Sequence, residues 1–198
     1  YLTTYTLYAN VSYFNPYLID VIGIDPDASS VYSVIRSYGA MVIAPVGGIM
    51  ADKVFKSTST WYIVAFAIAG VMWAVPFLFS SESNVTMVCI YSILPSLVIF
   101  ALYSVTYSIL RELHIPTMVA GTAIGLGSQS GLIVDGVWPT MFGSWLDKFG
   151  NTGYTYIFTF MIAMCVAGIL NAMWAKNLDK KCKSGKKVLD LSGLQKNS

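Results

Sequence analysis

Two charged side chains lie far from the ends of long apolar segments in this sequence and are its first candidates for chemistry. Arg36 lies about 10 Å along a predicted helix from Ser29, and Asp135 about 18 Å along another from Asp147, at 1.5 Å per residue. A charge inside an apolar helix is costly unless it finds a partner. We therefore expect Arg36 to bind substrate or to act in gating, with a structural ion pair as the alternative. We expect Asp135 to pair with Arg36 or to bind a coupling proton.

A stripe of polar side chains runs along the first apolar segment. Its members recur at spacings of four and three, which places them on one helical face: Tyr1, Tyr5, Tyr8, Ser12 and Asn15. Polar groups in a membrane helix must face protein or water. We expect Tyr5, Tyr8 and Asn15 to contact substrate, the alternative being hydrogen bonds between helices. The pair Asn15-Pro16 predicts a break near the outer end of this helix.

The fifth apolar segment combines glycines with polar groups near its middle. Gln129 is a further binding candidate there. Two pairs with G-x-x-x-G spacing predict close helix contacts and bending, within the set Gly121, Gly125, Gly127, Gly131 and Gly136. Together with Arg36, this segment favours an anionic substrate, because a guanidinium group offers a charged, bidentate fork.

Composition excludes an ordinary soluble domain. The 198 residues are 56% hydrophobic and only 11% charged, with a mean hydropathy of +0.63. The charged share is about half of that in soluble domains, too little to cover a water-facing surface. We predict an all-α, polytopic membrane protein. Six apolar segments are long enough to cross a bilayer, at residues 1–22, 29–51, 60–79, 85–110, 117–146 and 154–175.

The basic residues fix the predicted orientation. Six crossings place Lys53, Lys56, Arg111 and the lysines of the C-terminal tail on one side, and Lys148 on the other. By the positive-inside rule the first side is cytoplasmic. We therefore divide the chain into a six-helix bundle, residues 1–176, and a basic cytoplasmic tail, residues 177–198, in a protein of the plasma membrane. Because the chain begins without methionine or a polar flank, we expect a preceding part to be missing.

A short motif occurs twice, at the ends of the second and fifth segments. Residues 48–53 and 143–148 both read G-x-x-x-D-K, on opposite sides of the predicted membrane. Two three-helix units of opposite topology are typical of transporters built from inverted repeats. The prediction is therefore a bundle of two inverted three-helix repeats.

The stretch 48–56, G-I-M-A-D-K-V-F-K, resembles the loop motif between the second and third helices of each half of the major facilitator superfamily. It departs from that motif at Phe55, where glycine is usual, and at Ser57. The resemblance implies the carboxy-terminal six-helix half of a twelve-helix carrier, whose amino-terminal half would be the partner. It also implies that Gly48, Asp52 and Lys53 form a conformational latch, with a tight turn carrying topology-setting charges as the alternative.

These observations predict a secondary active transporter of a small organic or inorganic anion, working by alternating access as a symporter or antiporter. The alternatives are a neutral-solute carrier of the same fold, or a membrane sensor or channel that does not work by alternating access. An enzyme is not expected, because the single histidine, His114, stands in a loop without a catalytic constellation. We expect no metal site, cofactor or nucleic-acid partner. The partners expected are the substrate, a coupling proton or other ion, and the lipid bilayer.

Overall fold

The structure is a computed structural model that describes residues 1–79 and 84–184. Throughout these residues the regular structure is helical, which confirms the all-α prediction for this part of the chain. The α-helices are α1 Leu2–Asn10, α2 Phe14–Asp20, α3 Pro26–Ile49, α4 Thr58–Ala74, α5 Val85–Tyr91, α6 Ile93–Tyr103, α7 Ser108–Glu112, α8 Thr117–Phe149 and α9 Gly153–Lys183. Three short 3₁₀ turns, Val11–Tyr13, Val75–Leu78 and Gly150–Thr152, and one π turn, Met50–Val54, connect some of them.

Four stretches of the described residues are long and apolar enough to cross a membrane: Pro26–Val54, Thr58–Leu78, Val85–Tyr103 and Met118–Lys183. The last of these contains both α8, with 33 residues, and α9, with 31. Either helix alone exceeds the roughly 20 residues that a bilayer requires, and the chain turns between them at Gly150, where φ is 54°. The segment α1–α2 is not in this set, because polar residues such as Asn10, Asn15 and Asp20 lower its mean hydropathy. The count of six spans therefore stays a prediction.

The first predicted span is broken, but not where we expected. Pro16 lies inside α2, and the interruption is the 3₁₀ turn Val11–Tyr13, one turn before it. The physical reason is that Pro16 lacks an N–H for the carbonyl of Ser12 and its ring crowds that carbonyl. The strain of the proline is thus relieved upstream, next to the polar stripe.

An aromatic core holds α2, α4 and α9 together. Phe14 stacks on Trp73 with ring centroids 4.9 Å apart, and Phe158 packs against both rings. The most extensive helix contact in the described chain is between α4 and α9. By contrast, α3 and α8 present large apolar side chains outward, such as Val42 and Leu126. Outward apolar faces of this kind suit helices that are embedded in lipid or packed on other membrane helices.

The end of α9 crosses the predicted boundary between bundle and tail. This helix continues without interruption through Lys176 to Lys183. The start of the predicted tail is therefore helical. Residues 185–198 of the tail, and most of the predicted loop at residues 80–84, lie outside the described residues.

Candidate functional site

Arg36 is buried in the interior of the bundle. Its side chain, on α3, is only 3% exposed, and Nη1 donates a hydrogen bond to Oγ of Ser92 at 3.0 Å. Ser92 can accept because its own proton goes to the carbonyl of Cys89, at 2.7 Å. The second nitrogen, Nη2, is enclosed and has no hydrogen-bond partner in the described chain. No carboxylate among the described residues forms a salt bridge with Arg36.

A cavity of about 240 Å³ lies beside Arg36. The break in the first segment brings the end of the polar stripe to this point, opposite the serines that flank Arg36 on α3. The residues that line it are Tyr8, Ala9, Val11, Ser12, Asn15, Ser33, Arg36, Ser37 and Phe100. Three predicted site residues, Tyr8, Asn15 and Arg36, are thereby collected around one space. We call it the Arg36 cavity.

Asp135 belongs to a different cluster. Its carboxylate, on α8, accepts a hydrogen bond from the hydroxyl of Tyr5, with oxygen distances of 3.1 Å to Oδ2 and 3.3 Å to Oδ1. Gly131, one turn earlier, makes this contact feasible, because a Cβ there would stand 3.3 Å from the Tyr5 ring. Asp135 is exposed on its helix and does not pair with Arg36 in this structure.

A wall of stacked tyrosines connects the two clusters. Tyr5 stacks between Tyr1 and Tyr8, with ring centroids 5.4 Å and 5.9 Å away, and Tyr8 stacks on Tyr103 of α6 at 4.1 Å. The hydroxyl of Tyr5 contacts Asp135, whereas the ring of Tyr8 lines the Arg36 cavity. Sequence periodicity placed Tyr1, Tyr5 and Tyr8 on one face, but it gave no sign that Tyr103 would complete the wall.

The remaining candidates of the fifth segment are less engaged. Gln129 is exposed and makes no hydrogen bond with the part of the chain that the structure describes. Of the glycines, Gly131 packs on Tyr5, whereas a Cβ added at Gly127 would only reach Tyr1, at 4.0 Å. A Cβ at Gly121, Gly125 or Gly136 would meet no described residue within 4 Å. The close contacts predicted from G-x-x-x-G spacing are therefore confined to one position within the described residues.

The predicted latch residues lie at the end of α3 and in the π turn that follows it. Asp52, in the π turn, accepts a hydrogen bond from Nη2 of Arg111 at 2.9 Å, and both side chains are more than half exposed. Lys53 is exposed. Gly48 makes no close contact, and Gly47 instead faces α6, where a Cβ would collide with the backbone carbonyl of Ala101. Among the described residues, Gly47 and not Gly48 therefore allows the close approach of α3 to α6.

Glu112 is a functional candidate that the sequence reasoning missed. Its carboxylate accepts hydrogen bonds from Oγ of Ser57 at 2.7 Å and from the backbone N–H of Ser59 at 3.0 Å. It therefore caps the N-terminus of α4, where a negative charge is favourable. A cavity of about 220 Å³ adjoins this cap and the Asp52–Arg111 pair. The sequence did offer one signal: the predicted topology places the acid Glu112 on the same side of the membrane as the start of α4.

The two copies of the repeated motif differ in structure. The first copy enters the π turn and its acid, Asp52, is paired, whereas the second stays in the regular helix α8. Asp147 and Lys148 are exposed there, and the described residues include no salt bridge to either. Local conformation therefore adds no support to the predicted repeat.

Comparison with known proteins gives one distant similarity and little else. No protein-family profile and no solved structure matches this chain. "Inner membrane protein YihN" of Escherichia coli (strain K12) is 24% identical to it over 185 residues, which are 90% of this chain and 44% of that protein. The chain therefore spans less than half the length of this relative. Together, this similarity and the apolar helices identify the chain as a multi-pass integral membrane protein.

Proposed function

We propose that this chain is part of a secondary active transporter that carries a small anion by alternating access. The observation that carries the proposal is the buried guanidinium of Arg36, which lies beside a cavity and has no neutralising carboxylate among the described residues. Removing such a charge from water costs several kcal/mol, on the order of what a buried ion loses in proteins. A hydrogen bond to the neutral hydroxyl of Ser92 offsets only part of this. A bound anion would supply the missing charge.

Asp135 has the complementary property, because it is a carboxylate without a described cation partner. Its position on α8, in contact with Tyr5 of the first segment, suits a group that binds and releases a coupling proton. Since Arg36 and Asp135 do not neutralise each other, each is free to bind its own ligand. This separation favours an anion moved together with, or in exchange for, a coupling ion.

The proposed architecture is the carboxy-terminal six-helix half of a carrier of the major facilitator superfamily. It counts α1–α2 as a broken first span and α8 and α9 as separate fifth and sixth spans. The ends of α3, α7 and α9 then share the cytoplasmic side of the plasma membrane. The Asp52–Arg111 pair joins two of these ends and would act as the latch. An amino-terminal half fits the finding that the chain spans 44% of its relative.

The test is uptake by the intact protein in liposomes, with small anions and neutral solutes compared at equal concentration. Arg36→Gln is the main variant, and Arg111→Gln is the control that removes an exposed arginine. We expect saturable anion uptake with counterflow, reduced at least tenfold by Arg36→Gln, the effect of about 1.4 kcal/mol. Arg111→Gln should slow uptake without changing the apparent affinity.

Other outcomes would favour the alternatives. Saturable uptake of neutral solutes by wild type and Arg36→Gln alike would indicate a neutral-solute carrier and leave Arg36 a structural role. Flux that neither saturates nor shows counterflow would indicate a channel. A properly folded protein that binds an anion but moves no solute would indicate a sensor.

A further inference from the structure

Two of the three serines that line the Arg36 cavity, Ser12 and Ser37, have already used their protons. Oγ of Ser12 donates to the carbonyl of Ala9 at 3.0 Å, and Oγ of Ser37 donates to the carbonyl of Ser33 at 3.0 Å. A hydroxyl has one proton and two lone pairs. Both serines therefore offer the cavity hydrogen-bond acceptors and no donor.

Ser92 shows that a serine in this state does act as an acceptor. Its proton is donated to the carbonyl of Cys89, and its oxygen accepts a hydrogen bond from Arg36. The same arrangement at Ser12 and Ser37 has no donor opposite it in the described chain. Ser12 and Ser37 therefore resemble Ser92 without its hydrogen bond from Arg36.

Asn15 adds a further acceptor without a partner. Its Oδ1 atom is enclosed and makes no hydrogen bond among the described residues. A buried acceptor that stays unpaired is destabilising, because it has lost its hydrogen bond to water. The wall between these polar groups is apolar, formed by Val11 and by the rings of Tyr8 and Phe100.

We propose that the ligand of the Arg36 cavity is a hydroxylated organic anion, in which hydroxyl donors stand beside the charged group on a carbon skeleton. This inference rests on the proposed function and narrows its substrate class. The anionic group would bind Arg36, the hydroxyls would donate to Ser12 and Ser37, and the carbon atoms would contact the apolar wall. Halides and sulfate carry no donors and would face the lone pairs of Ser12 and Ser37 without compensation.

The experiment uses three anions of equal charge and chain length: propanoate, lactate and glycerate, which carry zero, one and two hydroxyls. Their dissociation constants are measured by titration calorimetry on the intact protein, with sulfate as the inorganic comparison. We expect the dissociation constant to fall about three- to tenfold for each added hydroxyl, as a net hydrogen bond of this kind contributes. Sulfate should bind more weakly than glycerate.

Ser37→Ala and Ser30→Ala form a matched pair on α3. The hydroxyl of Ser30 also donates to the carbonyl one turn earlier, that of Pro26 at 3.0 Å, but Ser30 does not line the cavity. Ser37→Ala should weaken glycerate binding about three- to tenfold and leave propanoate binding unchanged within about twofold. Ser30→Ala should leave both unchanged.

The outcomes separate this inference from the proposed function. Equal dissociation constants for the three anions, all raised by Arg36→Gln, would overturn the hydroxyl requirement and leave the anion site intact. Binding that Arg36→Gln does not weaken, or no binding of any of these anions, would overturn both. Equal losses in Ser37→Ala and Ser30→Ala would likewise overturn the role of the cavity serines.

Discussion

The hydroxyl of Tyr5 lies 3.1 Å from Oδ2 of Asp135, although 130 positions separate the two residues in the chain. The contact joins the first predicted span to the fifth, and Gly131 leaves room for the Tyr5 ring on α8. A carboxylate that accepts from a tyrosine is held in place by a neutral group, without a neutralising cation. This geometry makes Asp135 a better candidate for coupling than for an ion pair with Arg36.

Replacing Tyr5 by phenylalanine removes this hydrogen bond and keeps the stacked ring. We expect Tyr5→Phe to slow uptake about fivefold, because the lost bond is worth about 1 kcal/mol. The measurement is the initial uptake rate in liposomes under an imposed proton gradient. Asp135→Asn should abolish the response to the gradient and retain counterflow. If Tyr5→Phe and the control Tyr13→Phe slow uptake equally, the contact has no special role.

One added methyl group should have different effects at the adjacent residues Gly47 and Gly48. Gly47→Ala would push a Cβ into the backbone carbonyl of Ala101, which cannot move aside as a flexible side chain can. We expect it to destabilise the protein by about 1–3 kcal/mol, the usual cost of overpacking. Gly48→Ala meets open space in this chain and should be neutral or stabilise its helix by up to about 1 kcal/mol. Melting temperatures in detergent test the pair, and equal losses would contradict it.

The Asp52–Arg111 pair predicts a recoverable loss of transport. Both side chains are more than half exposed, so the pair should contribute no more than about 1 kcal/mol. We therefore expect Asp52→Arg or Arg111→Asp to slow uptake up to about fivefold with little change in melting temperature. The double variant keeps the net charge of this side and should restore uptake. A double variant no faster than the single variants would refute a latch formed by this pair.

Cys182 offers a test of orientation. Its side chain is partly exposed near the end of α9, whereas Cys89 and Cys165 are buried. A membrane-impermeant maleimide should therefore label Cys182 in inside-out vesicles and not in intact cells, because a buried thiol is inert and the tail is proposed to be cytoplasmic. Labelling must disappear in Cys182→Ser and persist in Cys89→Ser and Cys165→Ser. Labelling of Cys182 from outside the cell would invert the proposed topology.

Much of the site could be predicted because its signals are local. The spacing of Tyr5, Tyr8 and Asn15 follows helical periodicity, so their common face was visible in the sequence. The rarity of charge in apolar segments singled out Arg36 and Asp135. The break of the first segment was also predicted, but the crowding by Pro16 places it one turn earlier than the proline itself.

The sequence by itself determined that this is a helical membrane protein, since hydropathy and helical period depend only on residues close along the chain. Only the tertiary structure decided the partners. Arg36 meets Ser92 and not Asp135, Asp135 meets Tyr5, and Gly47 rather than Gly48 meets α6. The physical reason is that every membrane helix satisfies its own backbone hydrogen bonds, so pairing between helices depends on the shapes and polar groups that their packing brings together.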